Sequence, residues 1–154
     1  MLAEAQAGAS GKPSLTLKRR IKAPPAKVYR AWTDPAQIIR WWGPGNCEYL
    51  AADIDLRVGG RFRVAFRTDV DGRGHEEHEV GGTYREIVPD QRLVFSWNWI
   101  TTPERVSQVT VTFKPDGAGT ILTLFHEQLF DEASKTGHTR GWTASLDKLE
   151  TLFA

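Results

Sequence analysis

With 154 residues, the chain is the size of one domain and is long enough to bury a core without disulfide or metal staples. Its formal net charge of +1 shows no basic excess of the kind that binding to nucleic acid requires. A lone cysteine, Cys47, excludes an internal disulfide and a thiolate metal cluster, and fits a reducing cytoplasm.

The chain opens on small and polar residues, Met1 to Lys12, followed by Pro13. They hold no apolar run of the length a signal peptide needs, and no apolar run in the chain approaches a membrane span of roughly 20 residues. The reading is a disordered arm over 1–13 and one folded domain over 14–154.

Ser14 to Lys22 alternates, with Leu15, Leu17 and Arg19 on one face, and reads as a half-buried strand. Ala23-Pro24-Pro25 ends it, since proline cannot donate to a ladder. Ala26 to Thr33 reads as a short helix with Val28, Tyr29 and Trp32 inward. Asp34-Pro35 supplies an N-cap and a first helical proline for a second short helix, which carries Ile38, Ile39, Trp41 and Trp42. Gly43-Pro44-Gly45 stops it.

From there the apolar period is two. Glu48 to Val58 places Ile54, Leu56 and Val58 on one side, and Gly59-Gly60 is a hairpin signal. Arg61 to Arg67 turns Phe62, Val64 and Phe66 one way and its arginines the other. Asp69 to Gly74 is a turn. His75 to Val88 is a long strand, bulged at Gly81-Gly82. Arg92 to Ile100 has Leu93, Phe95, Trp97 and Trp99 on one face. Val106 to Lys114 and Thr120 to Glu127 form a hairpin around Pro115-Asp116-Gly117, and an amphipathic helix runs from Asp131 to Phe153. The fold class is therefore α+β: an antiparallel sheet of six to seven strands, two short helices after the first strand, and a long C-terminal helix to cover the apolar face.

Specific residues add a resemblance. Ala23-Pro24-Pro25 precedes Val28-Tyr29-Arg30-Ala31-Trp32-Thr33-Asp34-Pro35. Then come Trp41-Trp42-Gly43-Pro44, Val58-Gly59-Gly60-Arg61-Phe62, Gly82-Thr83-Tyr84-Arg85-Glu86-Ile87, Leu93-Val94-Phe95-Ser96-Trp97 and Gly137-His138-Thr139-Arg140-Gly141-Trp142. In this order the chain resembles the START-type helix-grip superfamily, which includes birch-pollen-allergen-like proteins and polyketide cyclases. Within it, the chain most resembles the family named after the C-terminal domain of the activator of the heat-shock-chaperone ATPase. The resemblance implies a curved sheet wrapped around the terminal helix. It also implies a groove between them, often used for lipids, sterols, polyketides or other apolar molecules. The family name implies a chaperone contact, although the arm is too short to be the extra N-terminal domain of the two-domain eukaryotic protein behind that name.

Several residues invite chemistry. His75-Glu76-Glu77-His78 is dense in ligand-type groups, but it is not a helical His-Glu-x-x-His site, and on a strand its two histidines point to opposite faces. It reads as a solvated hairpin end, with His78 alone able to point inward at a ligand. His126 shares a face with Leu122 and Leu124, so it sits at the core or the cavity wall and needs partners for both ring nitrogens. His138 lies one turn before Trp142. The tryptophans are either core or a pocket for an aromatic ligand. Gly137 and Gly141 either let the helix approach the sheet or leave room for a ligand.

The expected ligand-contacting set is Trp41, Phe62, Phe66, His78, Trp97, Trp99, Val109, His126, His138 and Trp142. No residue set forms an obvious catalytic centre, and no metal or cofactor is expected. The leading reading is a carrier or sensor of a small hydrophobic molecule. A cyclase- or hydrolase-type enzyme using His126, His78 or Glu127, and a chaperone-cofactor-like interaction module, are the alternatives.

Overall fold

A computed structural model of the chain describes residues 11–44, 47–70 and 74–154. The expected arm lies outside the described residues up to position 10. Its last residue, Pro13, already accepts a hydrogen bond from the Leu129 N–H at 3.1 Å.

Seven strands make one antiparallel curved sheet. They are β1 (Leu15–Ile21), β2 (Glu48–Ile54), β3 (Arg61–Val70), β4 (Gly74–Val88), β5 (Arg92–Trp99), β6 (Ser107–Asp116) and β7 (Gly119–Glu127). The spatial order is β1-β7-β6-β5-β4-β3-β2. Strands β2 to β7 follow one another as a meander, and β1 returns to pair with β7. Helices α1 (Pro25–Thr33) and α2 (Pro35–Ile38) fill the connection from β1 to β2, and α3 (Glu132–Leu152) ends the fold. This is the α+β architecture expected from the sequence.

Local chemistry sets the helix ends. Pro25 starts α1, where its missing N–H costs nothing. The N–H of Asp34 closes α1 on the Arg30 carbonyl, and its carboxylate accepts from the Ala36 N–H at 2.9 Å to open α2. Asp131 caps α3 in the same way, accepting from the Ser134 N–H at 2.8 Å. Such caps contribute about 1 kcal/mol each.

The inward positions of the strands form the core with α3. Phe62, Val64 and Phe66 of β3, Leu93, Phe95 and Trp97 of β5, and Leu122 and Leu124 of β7 pack with Trp142, Leu146 and Leu149. Arg19 shares the inner parity of β1 but reaches out to Asp147 and Glu150 at 2.6 and 2.7 Å, which fastens an edge strand to the end of α3. On the outer face, Arg63 pairs with Asp53 and Glu79, and Arg67 with Glu48 and Glu77. These pairs are solvent-exposed and contribute about 0–1 kcal/mol each.

Several boundaries differ from the sequence expectation, among them α2, which ends at Ile38 and leaves Ile39, Trp41 and Trp42 in the connection that follows. Strand β2 stops at Ile54 rather than Val58, because Asp55 to Gly60 forms its own turn, with Arg57 N–H on Asp55 O and Gly60 N–H on Arg57 O. Leu56 and Val58 are consequently exposed, at 41% and 62%. Strand β3 runs on through Asp69 and Val70, which pair with His75 and Gly74; residues 71–73 of the expected turn lie outside the described residues. The bulge of β4 sits between Tyr84 and Glu86, while Gly81 and Gly82 stay in unbroken register with β3. Glycine is needed at 82 for another reason: a Cβ there would stand 1.8 Å from the Ser96 carbonyl oxygen. The last hairpin turns at Gly117-Ala118, since Asp116 already pairs with Gly119.

Candidate functional site

A cavity of about 290 Å³ lies between the sheet and the first half of α3. The sheet contributes Phe66 from β3 and Trp97 and Trp99 from β5. The connection after α2 contributes Trp42, Gly43 and Pro44. Helix α3 contributes Ser134, Gly137, His138, Gly141, Trp142 and Ser145. These last positions follow helical spacing, so one face of the helix forms one wall.

Two of these positions are glycines. A Cβ built at Gly137 or Gly141 would meet no heavy atom within 4 Å beyond the helix's own backbone. Close approach to the sheet is thus not their role; Gly137 is exposed, Gly141 half-buried, and both border the cavity.

The far wall is anchored by hydrogen bonds. Ser145 Oγ accepts from the Gly43 N–H at 3.1 Å and donates to the Gly43 carbonyl at 3.2 Å. Lys148 Nζ donates to the carbonyls of Trp42 and Pro44 at 3.3 Å each, and the Tyr49 hydroxyl also donates to the Trp42 carbonyl. Trp41, one position earlier, anchors its indole N–H on the Ala31 carbonyl at 3.0 Å.

Two imidazoles meet here, the part-buried His138 on the cavity wall and the fully buried His126 behind it, with ring centroids 5.0 Å apart. Because an indole N–H only donates, the bond from Trp142 Nε1 at 3.0 Å makes His126 Nδ1 an acceptor. The His126 proton is therefore on Nε2 and points at Ser107 Oγ, 2.7 Å away, while Ser107 donates to the Trp97 carbonyl at 3.2 Å. A nucleophilic serine needs the opposite arrangement, with Nε2 free to take its proton. The Ser107–His126 pair thus ties β6 to β7, and through Trp142 to α3, rather than activating an oxygen. His138 has the other tautomer. Its Nδ1 carries the proton to the Ser134 carbonyl at 2.8 Å, and its Nε2 accepts from Trp97 and Trp99. Burial holds both histidines below their ordinary pKa, His126 well below, with the nearby His138 adding to the effect there.

The Trp97–Trp99–His138 wall has a second cavity on its other side, about 320 Å³, bordered by Arg105, Phe130 and Ser107. Arg105 lies over the Phe130 ring there at 3.8 Å. Among the described residues no group of three or more His, Cys, Asp or Glu side chains is placed to hold a metal. Nor, among the described residues, is any helix long and apolar enough to cross a membrane.

The model of the family described as Activator of Hsp90 ATPase homolog 1-like protein matches residues 22–154. The chain belongs to this family. Solved structures agree. A protein from Chromobacterium violaceum is 30% identical with a TM-score of 0.76, over 92% of this chain and 97% of its own. An AHSA1 protein from Silicibacter pomeroyi is also 30% identical, with a TM-score of 0.76 over 90% and 96%. A Mycobacterium smegmatis protein at 23% identity and TM-score 0.77 shares the fold, over 92% and 90%. The search among curated proteins finds no match.

Within this family member, the cavity brings together Phe66, Trp97, Trp99, His138 and Trp142 of the residues singled out by sequence. Trp41, Phe62 and Val109 stand instead in the packed core, at 0%, 6% and 0% exposure. His126 is fully buried and meets the cavity through Trp142, Trp97 and His138. His78 does not border the cavity: it shares a strand face with Glu76, stacks on Phe66 at 5.1 Å, and its Nε2 lies 3.0 Å from Thr68 Oγ1 and 3.4 Å from the Glu76 carboxylate. Gly43, Pro44, Ser134 and Ser145 were not anticipated, and Trp42 was weighed only with the other tryptophans as core or pocket. The Asp131 cap signal, which sets where α3 begins, was the clue that would have given the phase of Ser134 and Ser145 on the helix.

Proposed function

We propose that this protein binds a small apolar or aromatic molecule between the sheet and α3, as a carrier or sensor. The domain that does so is residues 14–154, working in the cytoplasm. The observation that carries this reading is the open space at Gly137 and Gly141. Each glycine costs a helix about 1 kcal/mol relative to alanine, and here nothing is packed into the space that they leave. An aromatic-walled cavity with few polar groups is the kind of site that takes such ligands.

The geometry favours binding over catalysis: the Ser107–His126 pair has its proton directed the wrong way for base chemistry, and the His138 nitrogen near Ser134 Oγ carries its proton to the Ser134 carbonyl. It also favours a small ligand over a chaperone surface. The exposed large apolar side chains, such as Leu50, Val58, Ile100 and Phe130, come from separate elements, whereas the aromatic side chains of the cavity converge on one space.

Native mass spectrometry of the protein purified from its own host tests this. The expected result is a mass excess that disappears on denaturation and is absent from a Gly141→Leu variant, whose side chain fills the cavity. A bare mass for the native protein, or the same excess in the variant, counts against the reading.

A further inference from the structure

Trp97 and Trp99 both aim an indole N–H at one imidazole nitrogen. The distances to His138 Nε2 are 3.2 and 3.0 Å. An unprotonated imidazole nitrogen has a single in-plane lone pair, and an indole N–H can only donate. One acceptor thus serves two donors. His138 has no second acceptor to give, because its Nδ1 holds the proton that reaches the Ser134 carbonyl. All three side chains lie on the cavity wall. A donor that shares its acceptor in an apolar enclosure keeps unspent bonding capacity, and a ligand acceptor that takes it up removes a desolvation cost.

The rest of the wall restricts the ligand further. It contains no carboxylate, ammonium or guanidinium group. Ser145 is already bonded to both backbone groups of Gly43, and Ser134 Oγ lies 3.3 Å from His138 Nδ1. A charged ligand would lose its hydration there and find no opposite charge. For size, an apolar cavity of about 150 Å³ takes one benzene ring, and this one, at about 290 Å³, has room for two.

We propose that the ligand is an uncharged molecule of about two rings bearing an acceptor oxygen, a ketone or quinone-type carbonyl in class. Its oxygen takes the indole N–H of Trp97 or Trp99 that His138 cannot fully hold. This rests on the small-ligand reading above and specifies what that site recognises.

The test uses three probes of similar size on the full chain: 1-tetralone, tetralin and 1-naphthoate. Affinity is measured by calorimetry, and the tryptophan indole N–H resonances are followed by ¹⁵N–¹H NMR. The ketone should bind roughly threefold to tenfold more tightly than the hydrocarbon, the range of one neutral hydrogen bond. It should displace the resonance of Trp97 or Trp99, and the anion should bind least. In Trp97→Phe or Trp99→Phe, the ratio between ketone and hydrocarbon should fall towards one. Trp99 is only partly buried, so its variant spares the innermost core. Equal affinity for 1-tetralone and tetralin, with unmoved indole resonances, overturns the acceptor proposal and leaves the cavity reading standing. Tightest binding by 1-naphthoate overturns the requirement for an uncharged ligand. Binding by none of the three overturns both readings.

Discussion

Trp142 on α3 donates its indole N–H to Nδ1 of His126 on β7 at 3.0 Å, across the seam where the helix meets the sheet. The donor has no alternative role, so the direction of every later bond follows from it. His126 Nε2 gives its proton to Ser107, and Ser107 gives its own to the Trp97 carbonyl. A line of three side chains thus joins α3, β7, β6 and β5 with each polar atom in one state. His126 and Ser107 are 0% and 4% exposed, so no water replaces a lost partner.

Trp142→Phe should destabilise the protein by about 1–3 kcal/mol, the cost of leaving a buried acceptor unpaired. Phenylalanine keeps much of the ring packing against Trp97, Trp42 and Trp32. The double variant Trp142→Phe/His126→Leu should recover a good part of that loss, because both partners are then apolar and Ser107 still has the Trp97 carbonyl. Urea unfolding of the four proteins in the cycle gives the coupling directly. If the two losses simply add, the indole–imidazole bond is not the link described here.

A pH dependence follows from the same residues. Burial lowers the pKa of His126 and His138 in the fold, while in the unfolded chain both return to their ordinary value of 6.5. Below that pH the unfolded state binds protons that the folded state refuses. Stability is therefore complete above about pH 6.5 and falls as the pH drops through it, by up to about 1.4 kcal/mol per pH unit for each histidine. The fall should be visible between about pH 7.5 and 5.5, above the carboxylate range. Urea midpoints across that interval measure it, and His126→Gln, which does not titrate, should flatten the curve. An unchanged slope in that variant would assign the effect to other groups.

Much of the fold was legible because strand parity is a short-range signal. Phe62, Val64 and Phe66, or Leu122, Leu124 and His126, declare their shared face in the sequence itself. Parity gives a face, however, and not a position along the sheet. Val109 has the inner parity of a site residue, yet it pairs with Phe95 and His126 in solid core. Phe66 has the same parity and lines the cavity. What separates them is where α3 carries glycine instead of a side chain, and that depends on how the helix lies across the sheet. The hydrogen-bond partners were hidden for the same reason: His138 is 41 and 39 residues from the two indoles that it accepts. The pair Gly81-Gly82 misled in another way. Glycine marks a bulge and a close backbone approach equally well, and only the Ser96 carbonyl beside position 82 distinguishes them.

The two glycines of α3 allow stability and binding to be set against each other. Gly137→Ala and Gly141→Ala each add a methyl group into open space, with no heavy atom within 4 Å to resist it. Helix propensity alone should then stabilise each variant by about 1 kcal/mol, which for a chain of this size raises Tm by roughly 2–4 °C. The same methyl groups project into the cavity, so affinity for a cavity-filling ligand should fall while the fold becomes more stable. Calorimetric melting and ligand titration on the same samples check both signs. Glycines kept merely for packing would give the reverse, a lower Tm with binding lost through unfolding. A rise in Tm with binding intact would mean that the ligand site lies elsewhere on the molecule.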